Sequence, residues 1–406
     1  MAEQFLDTDA LVDAVAAAEF DRTPAVVANA HITGLSVARA LDAHGVPVIA
    51  IDQVGDGVAH PSDTIDFAGE VRYPLDDPQG FAADLAAIAD AAGEVVAFGC
   101  MDEWVHAFAD ADVENVIRPW ENHVRVLDKS QLYRRAEELG VPYPETYFPG
   151  ETDPDGAAEE LGFPLVVKPA RKREGEEAIG SNVVEVATNE ELHEVLDAAD
   201  AAGVEVMLQE KVTIATGKDR SLASYVPADG EPLAVVGNAA VRYPLEFGTS
   251  CLVETVDAPE IEARALSVIE DAGYHGISES EFVYDADREE YVLLDINTRA
   301  WKWISLPVSV GADLPYAAYA DAVGEAFDPG EIDDGRWVYL RDYLTLLSSD
   351  APFWDVLDSA DWASLVSGAF EDGGDLTTGV YRPSDPAPTA QLIDTEFTDR
   401  EYYCSC

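Results

Sequence analysis

The chain has 406 residues, and its 80 Asp and Glu against 24 Lys and Arg give a formal net charge of −56, a field that repels nucleic acid and anionic membranes and excludes both as partners. Disorder commonly accompanies so large a charge, but a hydrophobic share of 48% with 7 Trp argues for packed cores, and the length for two or three domains. Acid spread evenly along a chain almost without lysine reads as the surface of a protein from a salt-rich cytoplasm, a halophile, where a Debye length of roughly 3 Å at molar salt screens the repulsion.

That composition makes an expected result: the melting temperature falls by several degrees when KCl drops from about 3 M to about 0.1 M. An unchanged value would sink the salt-adapted reading. The lysines are Lys129, Lys168, Lys172, Lys211, Lys218 and Lys302; on a surface so depleted, those that remain are candidates for chemistry. Lys211 and Lys218 read equally well as partners of neighbouring acids. Cys100, Cys251, Cys404 and Cys406 are too scattered for a disulfide framework, and the last two alone do not complete a zinc site. The acidic opening, Met1 to Asp13, lacks the basic start of a secretory leader, and no apolar run approaches ~18 residues. A cytoplasmic protein is expected.

In chain order, an amphipathic helix at about 10–20 precedes a buried strand at 25–29, a turn from His31 to Ser36 and a helix over 37–44. A strand over 46–51, a helix over 81–92 and a strand over 95–98 follow. Strands alternating with helices at this spacing predict a Rossmann-like parallel sheet, assigned to residues 1–125. The turn offers a single glycine, Gly34, instead of G-x-G-x-x-G, which excludes a nicotinamide cofactor.

Asp128 stands where it caps a helix beginning at Lys129, and Gly140 where it ends that helix. Lys168 closes the β-branched strand Leu165-Val-Val-Lys168 between Pro164 and Pro169, a poor choice for packing and a good one for a fixed cation against phosphates. The polar, glycine-punctuated stretch 170–182 reads as a lid or as an ordinary solvated loop. A strand over 204–209 leads to Glu210, Lys211 and Val212, and Asp219 follows Gly217. Arg242 opens a loop running to Cys251, its planar fork suited to carboxylate or phosphate. A helix over 258–272 comes next. Two apolar runs, 282–284 and 291–296, then flank the polar segment 285–290 as a β-hairpin. Alternation puts Asp295 and Asn297 on one face and Leu294 and Ile296 on the other, and a symmetric turn brings Glu281 roughly opposite Asp295. Three oxygen ligands would converge there, a set suited to Mg²⁺.

The run Asp295-Ile-Asn297-Thr-Arg299 resembles the E-x-N-x-R end of the ATP-grasp domain in carboxylate-amine ligases such as D-alanine:D-alanine ligase, D-aspartate ligase and biotin carboxylase, with Asp295 in place of Glu. The segments from Asp128-Lys129 to Gly140-Val-Pro142 and from Phe163 to Pro169 are similar to two further motifs of that superfamily, and the resemblance covers about residues 25–330. It implies an α/β chain: a Rossmann-like domain, then a two-lobed α+β ATP-grasp domain at 126–330 (a nucleotide lid at 126–210 and a metal lobe at 211–330), then a C-terminal appendage at 331–406 that carries no motif.

The resemblance further implies ATP with Mg²⁺, or Mn²⁺, as cofactors. Lys129 and Lys168 would reach the phosphates, the main chain of Glu210, Lys211 and Val212 the adenine, and Asp219 the ribose. Glu281, Asp295 and Asn297 would hold the metal, and the catalytic Arg242 and Arg299 the reacting carboxylate and phosphoryl groups. Asn29, His31, Asp102 and Glu103 would fall at the substrate end of the first domain, where a structural or capping role is equally expected. The implied activity is ligation of a small-molecule carboxylate to an amine through an acyl phosphate, releasing ADP and phosphate, in a chain open to homodimer formation. A nucleotide-binding regulatory module with the same fold and no turnover is the alternative.

Overall fold

The computed structural model describes residues 5–148, 152–170, 183–245, 248–348 and 356–396; the expected lid at 171–182 and both Cys404 and Cys406 lie outside them. The first domain is a parallel five-stranded sheet in the order β3-β2-β1-β4-β5. Its strands are β1 (Ala25–Ala28), β2 (Val48–Asp52), β3 (Phe67–Glu70), β4 (Val95–Gly99) and β5 (Val116–Ile117). All residues of β1, β2 and β4 are buried, as expected of strands covered by helices on both faces. The turn predicted at His31 to Ser36 is instead the start of helix Ile32–Asp42. The chain reverses within Asn29, which takes a left-handed φ of 67°, and Gly34 lets the new helix lie against the Asn29 carbonyl, where a Cβ would collide.

A second, antiparallel sheet contains β6 (Thr146–Tyr147), β7 (Leu165–Pro169), β8 (Val184–Val186) and β9 (Val206–Glu210) in the order β6-β9-β7-β8. Helices Pro154–Leu161 and Asn189–Ala202 cover it, burying Ala157, Ala158, Leu192 and Ala199 against Leu165, Val167 and Leu208. The third sheet runs β14-β13-β10-β11-β12-β15-β16. It comprises β10 (Arg220–Val226), β11 (Leu233–Tyr243), β12 (Thr249–Thr255), β13 (Gly276–Asp285), β14 (Glu290–Asn297), β15 (Arg336–Val338) and β16 (Leu376–Thr378).

One face of this sheet packs on helix Pro259–Ala272 and helix Lys129–Leu139 through Leu222, Val236, Phe282, Leu293 and Ile296. Asp128 caps the second of these helices by accepting from the Ser130 and Gln131 amides, and Gly140 ends it at a φ of 69°, as the sequence predicts. The other face shares a core with the first domain, where Ala223, Val235, Val253, Trp301, Trp303 and Trp337 join Val27, Leu35 and Phe98. Residues 331–406, expected as an appendage, extend this same sheet: β15 pairs antiparallel with β12, and β16 parallel with β15. Their pairing was hidden in the sequence because each strand is only three residues long. Among the described residues no helix is long and apolar enough to cross a membrane.

Candidate active site

The β13–β14 hairpin forms where expected, with one feature that the sequence did not announce. Phe282 pairs with Leu293 but Glu281 pairs with Asp295, so Leu294 is an extra, bulged residue without a counterpart. Continued without a bulge, the Phe282–Leu293 register would set Glu281 across from Leu294 and turn Asp295 to the opposite face, so the expected pairing of Glu281 with Asp295 is reached only through the bulge. It places Leu293 and Ile296 together in the apolar core and turns Asp295 and Asn297 to the face of Glu281. Bulges beside functional sites commonly re-aim side chains in this way.

Asn297 donates from Nδ2 to Glu281 Oε1 (2.8 Å) and Glu279 Oε2 (3.2 Å). Glu279 was not singled out in the sequence, although its spacing from Glu281 puts both on one strand face. Its Oε1 accepts from Trp303 Nε1 (2.8 Å). Burial, then the neighbouring Glu281 charge, push the Glu279 carboxyl up to about 8. Asp295 is not free beside these acids: its Oδ2 lies 2.6 Å from Lys129 Nζ. Among the described residues no group of three His, Cys, Asp or Glu side chains is gathered as a metal site; the expected set of Glu281, Asp295 and Asn297 has only two such residues, and one of them, Asp295, is paired with Lys129.

Two guanidiniums border the acids. Arg242 pairs through Nε with Asp219 Oδ2 (2.5 Å) and donates from Nη1 to the Gly248 carbonyl (3.0 Å). Burial works against its charge, but Asp219, Glu281 and Glu279 more than offset this and raise its pKa. Asp219, expected near a ribose, is thus an arginine partner; its other oxygen, Oδ1, is buried without a hydrogen bond. Arg299 reaches from the end of β14 to the first domain, where Nε meets Asp102 Oδ1 (2.7 Å) at the start of helix Asp102–Ala111. That contact carries the strand ends of the parallel sheet into the same neighbourhood.

The residues expected at the nucleotide lie on or beside the smaller sheet. Lys168 is half-buried near the end of β7, and the Lys129 amide donates to the Ala170 carbonyl (3.3 Å), so helix Lys129–Leu139 begins against the end of that strand. Glu210 accepts from the Glu145 amide and pairs with Arg288. Lys211 is exposed and bonds both oxygens of Glu185 at 2.8 Å, the pairing that the sequence left open. Val212 is half-buried just beyond β9. Lys218 lies 4.5 Å from the Tyr284 ring centroid.

Lys302, singled out only as one of the six lysines, has a partner that the sequence did not reveal, Asp342. Lys302, buried between Trp301 and Trp303, donates to Asp342 Oδ2 (2.6 Å) and Thr249 Oγ1 (2.9 Å) and lies 4.4 Å from the Tyr339 ring centroid. Thr249 directly follows Gly248, whose carbonyl holds Arg242, so the C-terminal segment braces the loop beside the site.

The geometry can be set against known structures. A biotin carboxylase of Campylobacter jejuni matches at a TM-score of 0.62 and 16% identity over 78% of this chain and 74% of its own. The chain has the ATP-grasp fold. An N5-carboxyaminoimidazole synthetase of Staphylococcus aureus, complexed with ADP, matches at 0.61 and 14% identity over 79% of this chain and 82% of its own. Among curated sequences, a D-alanine–D-alanine ligase of Pseudomonas fluorescens (strain Pf0-1) is 25% identical over 178 residues, 42% of this chain and 53% of the relative, so the chain spans about half the length of that protein. No family model matches the chain. In the chain the parallel-sheet domain comes first, and the four-stranded and seven-stranded sheets follow it.

Proposed function

We propose that the protein is an ATP-dependent ligase joining a carboxylate to an amine. The observation that carries this reading is the acidic face of the β13–β14 hairpin, Glu279, Glu281, Asp295 and Asn297, ringed by Lys129, Arg242 and Arg299. Two crowded carboxylates, one of them pushed up by burial and then by the other's charge, form a donor set that a hard cation would relieve. Glu281, Asp295 and Asn297 would hold Mg²⁺ or Mn²⁺, which neutralises charge on the phosphoryl group during transfer.

The chain's own residues do the remainder. Lys129 and Lys168 hold the phosphates, the main chain at Glu210, Lys211 and Val212 meets the adenine, and Asp219 aims Arg242. Among described residues nothing accepts a hydrogen bond from the remaining N–H groups of Arg242 beyond Asp219 and Gly248, which leaves part of its fork for an anion. In the reaction a substrate carboxylate oxygen attacks the γ-phosphorus and ADP leaves. The amine then attacks the acyl carbon, phosphate departs, and the amine loses a proton. No side-chain nucleophile is needed.

Interception tests this. With ATP, Mg²⁺, high KCl and hydroxylamine, a screen of amino acids and dicarboxylates is expected to give ADP together with a hydroxamate for the correct acid. Arg299→Lys should lower that turnover by about tenfold or more, because an ammonium lacks the planar fork. Tight ATP binding with no ADP from any acid would favour the silent regulatory module. ADP without hydroxamate would point to a kinase.

A further inference from the structure

The most telling contact in the site joins two residues to which the proposed function gives different ligands. Lys129 Nζ and Asp295 Oδ2 are 2.6 Å apart, with side chains 8% and 16% exposed. Lys129 is fixed at the first turn of its helix, and its amide is tied to Ala170. Asp295 is fixed by the bulge that turns it towards Glu281. Both backbones are held, so the ion pair follows from the fold and not from two long side chains meeting on a surface.

A phosphate drawing on Lys129 and a cation drawing on Asp295 each need this pair opened. We propose that the Lys129–Asp295 pair is a latch coupling nucleotide to metal, so that either ligand, on binding, releases the residue the other requires. The proposal rests on the ligase reading for the roles of the two residues. Its consequence is thermodynamic. The first ligand bears the cost of separating a shielded ion pair and the second does not, so each tightens the other by the same factor. With neither bound, Lys129 occupies the place of a cation beside the acidic face and keeps one of its carboxylates neutralised. The closed pair therefore disfavours metal without nucleotide and nucleotide without metal.

The variants separate this from a pair that only stabilises the fold, because each should gain an affinity. Mn²⁺ binding is followed by the electron paramagnetic resonance of the free ion, with and without the non-hydrolysable ATP analogue AMP-PNP; AMP-PNP binding in EDTA is followed by calorimetry. In the wild type, AMP-PNP should tighten Mn²⁺ by about tenfold or more. Lys129→Met should bind Mn²⁺ alone about tenfold more tightly than wild type and gain little from AMP-PNP. Asp295→Asn should bind AMP-PNP in EDTA more tightly than wild type by a similar factor. Lys168→Met, read only for Mn²⁺ alone, and Glu281→Gln, read only for AMP-PNP in EDTA, are the controls, since each removes one charge of the same sign without opening the pair and touches only the other ligand, and each should shift that one affinity by no more than about threefold. A wild-type protein that binds both ligands, with variants showing no gain or with controls gaining as much, would overturn the latch and leave the ligase reading standing. A wild type that binds neither ligand would overturn both.

Discussion

Glu281→Gln is expected to lower metal-dependent ADP formation by about a thousandfold while leaving the ligand-free protein as stable as before or slightly more so. The two effects have opposite signs for one reason. Without a cation, Glu281 is a charge beside the buried Glu279, whose carboxyl is pushed up first by burial and then by that charge. Glutamine keeps the shape and still accepts from Asn297 Nδ2 through its Oε1, as Glu281 does now, so packing loses little. With a cation, the same carboxylate would on the proposed reading be one of its ligands, and several kcal/mol of transition-state stabilisation would rest on it, about 4 kcal/mol for a thousandfold. Thermal melting without divalent ions and ADP release with Mg²⁺ measure the two halves. A Gln variant that melts well below wild type yet keeps its ADP formation would show that the hairpin acids are structural.

What the sequence disclosed of this site is what local chemistry controls. Asp128 and Gly140 bound their helix because capping needs only neighbours in the chain. The hairpin was legible because its polar turn and apolar arms are contiguous. The alternating helices and strands of the first domain were legible for the same reason as far as β4, apart from β3, whose sequence Phe-Ala-Gly-Glu is too short and too weakly apolar to stand out; helix Asp102–Ala111 and the two-residue β5 were not read. The bulge at Leu294 was not legible, since it is a property of the pairing between two strands.

Non-local partners account for the rest. Asp102 meets Arg299 across 197 residues of sequence, and Asp219, in the loop just before β10, meets Arg242 on β11. In each case both residues were singled out and their pairing was not foreseen. Glu279 had a signal, a second acid two positions before Glu281, but a lone acid in a strand is too common to interpret until Trp303 and Asn297 are seen to hold it. Residues 331–406 offered no motif because their contribution is a pair of three-residue strands and one aspartate.

That aspartate supports the last expected result. Asp342→Ala should destabilise the protein by about 3–5 kcal/mol, since it leaves the buried Lys302 ammonium with a hydroxyl and a ring face as its remaining described partners. Breaking one side of a buried pair costs far more than the pair contributes, because the surviving charge still has to be kept from water. The double variant Asp342→Leu with Lys302→Met should accordingly recover most of the loss and stand within about 1 kcal/mol of wild type. Chemical denaturation followed by tryptophan fluorescence suits the test, with Trp301 and Trp303 on either side of the lysine. If the single and double variants are equally unstable, the segment's packing and not the ion pair holds it in place. If both match the wild type, Lys302 reaches water in solution and the C-terminal segment is not anchored through it. Recovery in the double variant without recovery of ADP formation would separate the two roles of the pair: apolar side chains can fill the space, but they cannot hold Thr249 and, through its neighbour Gly248, the loop that steadies Arg242.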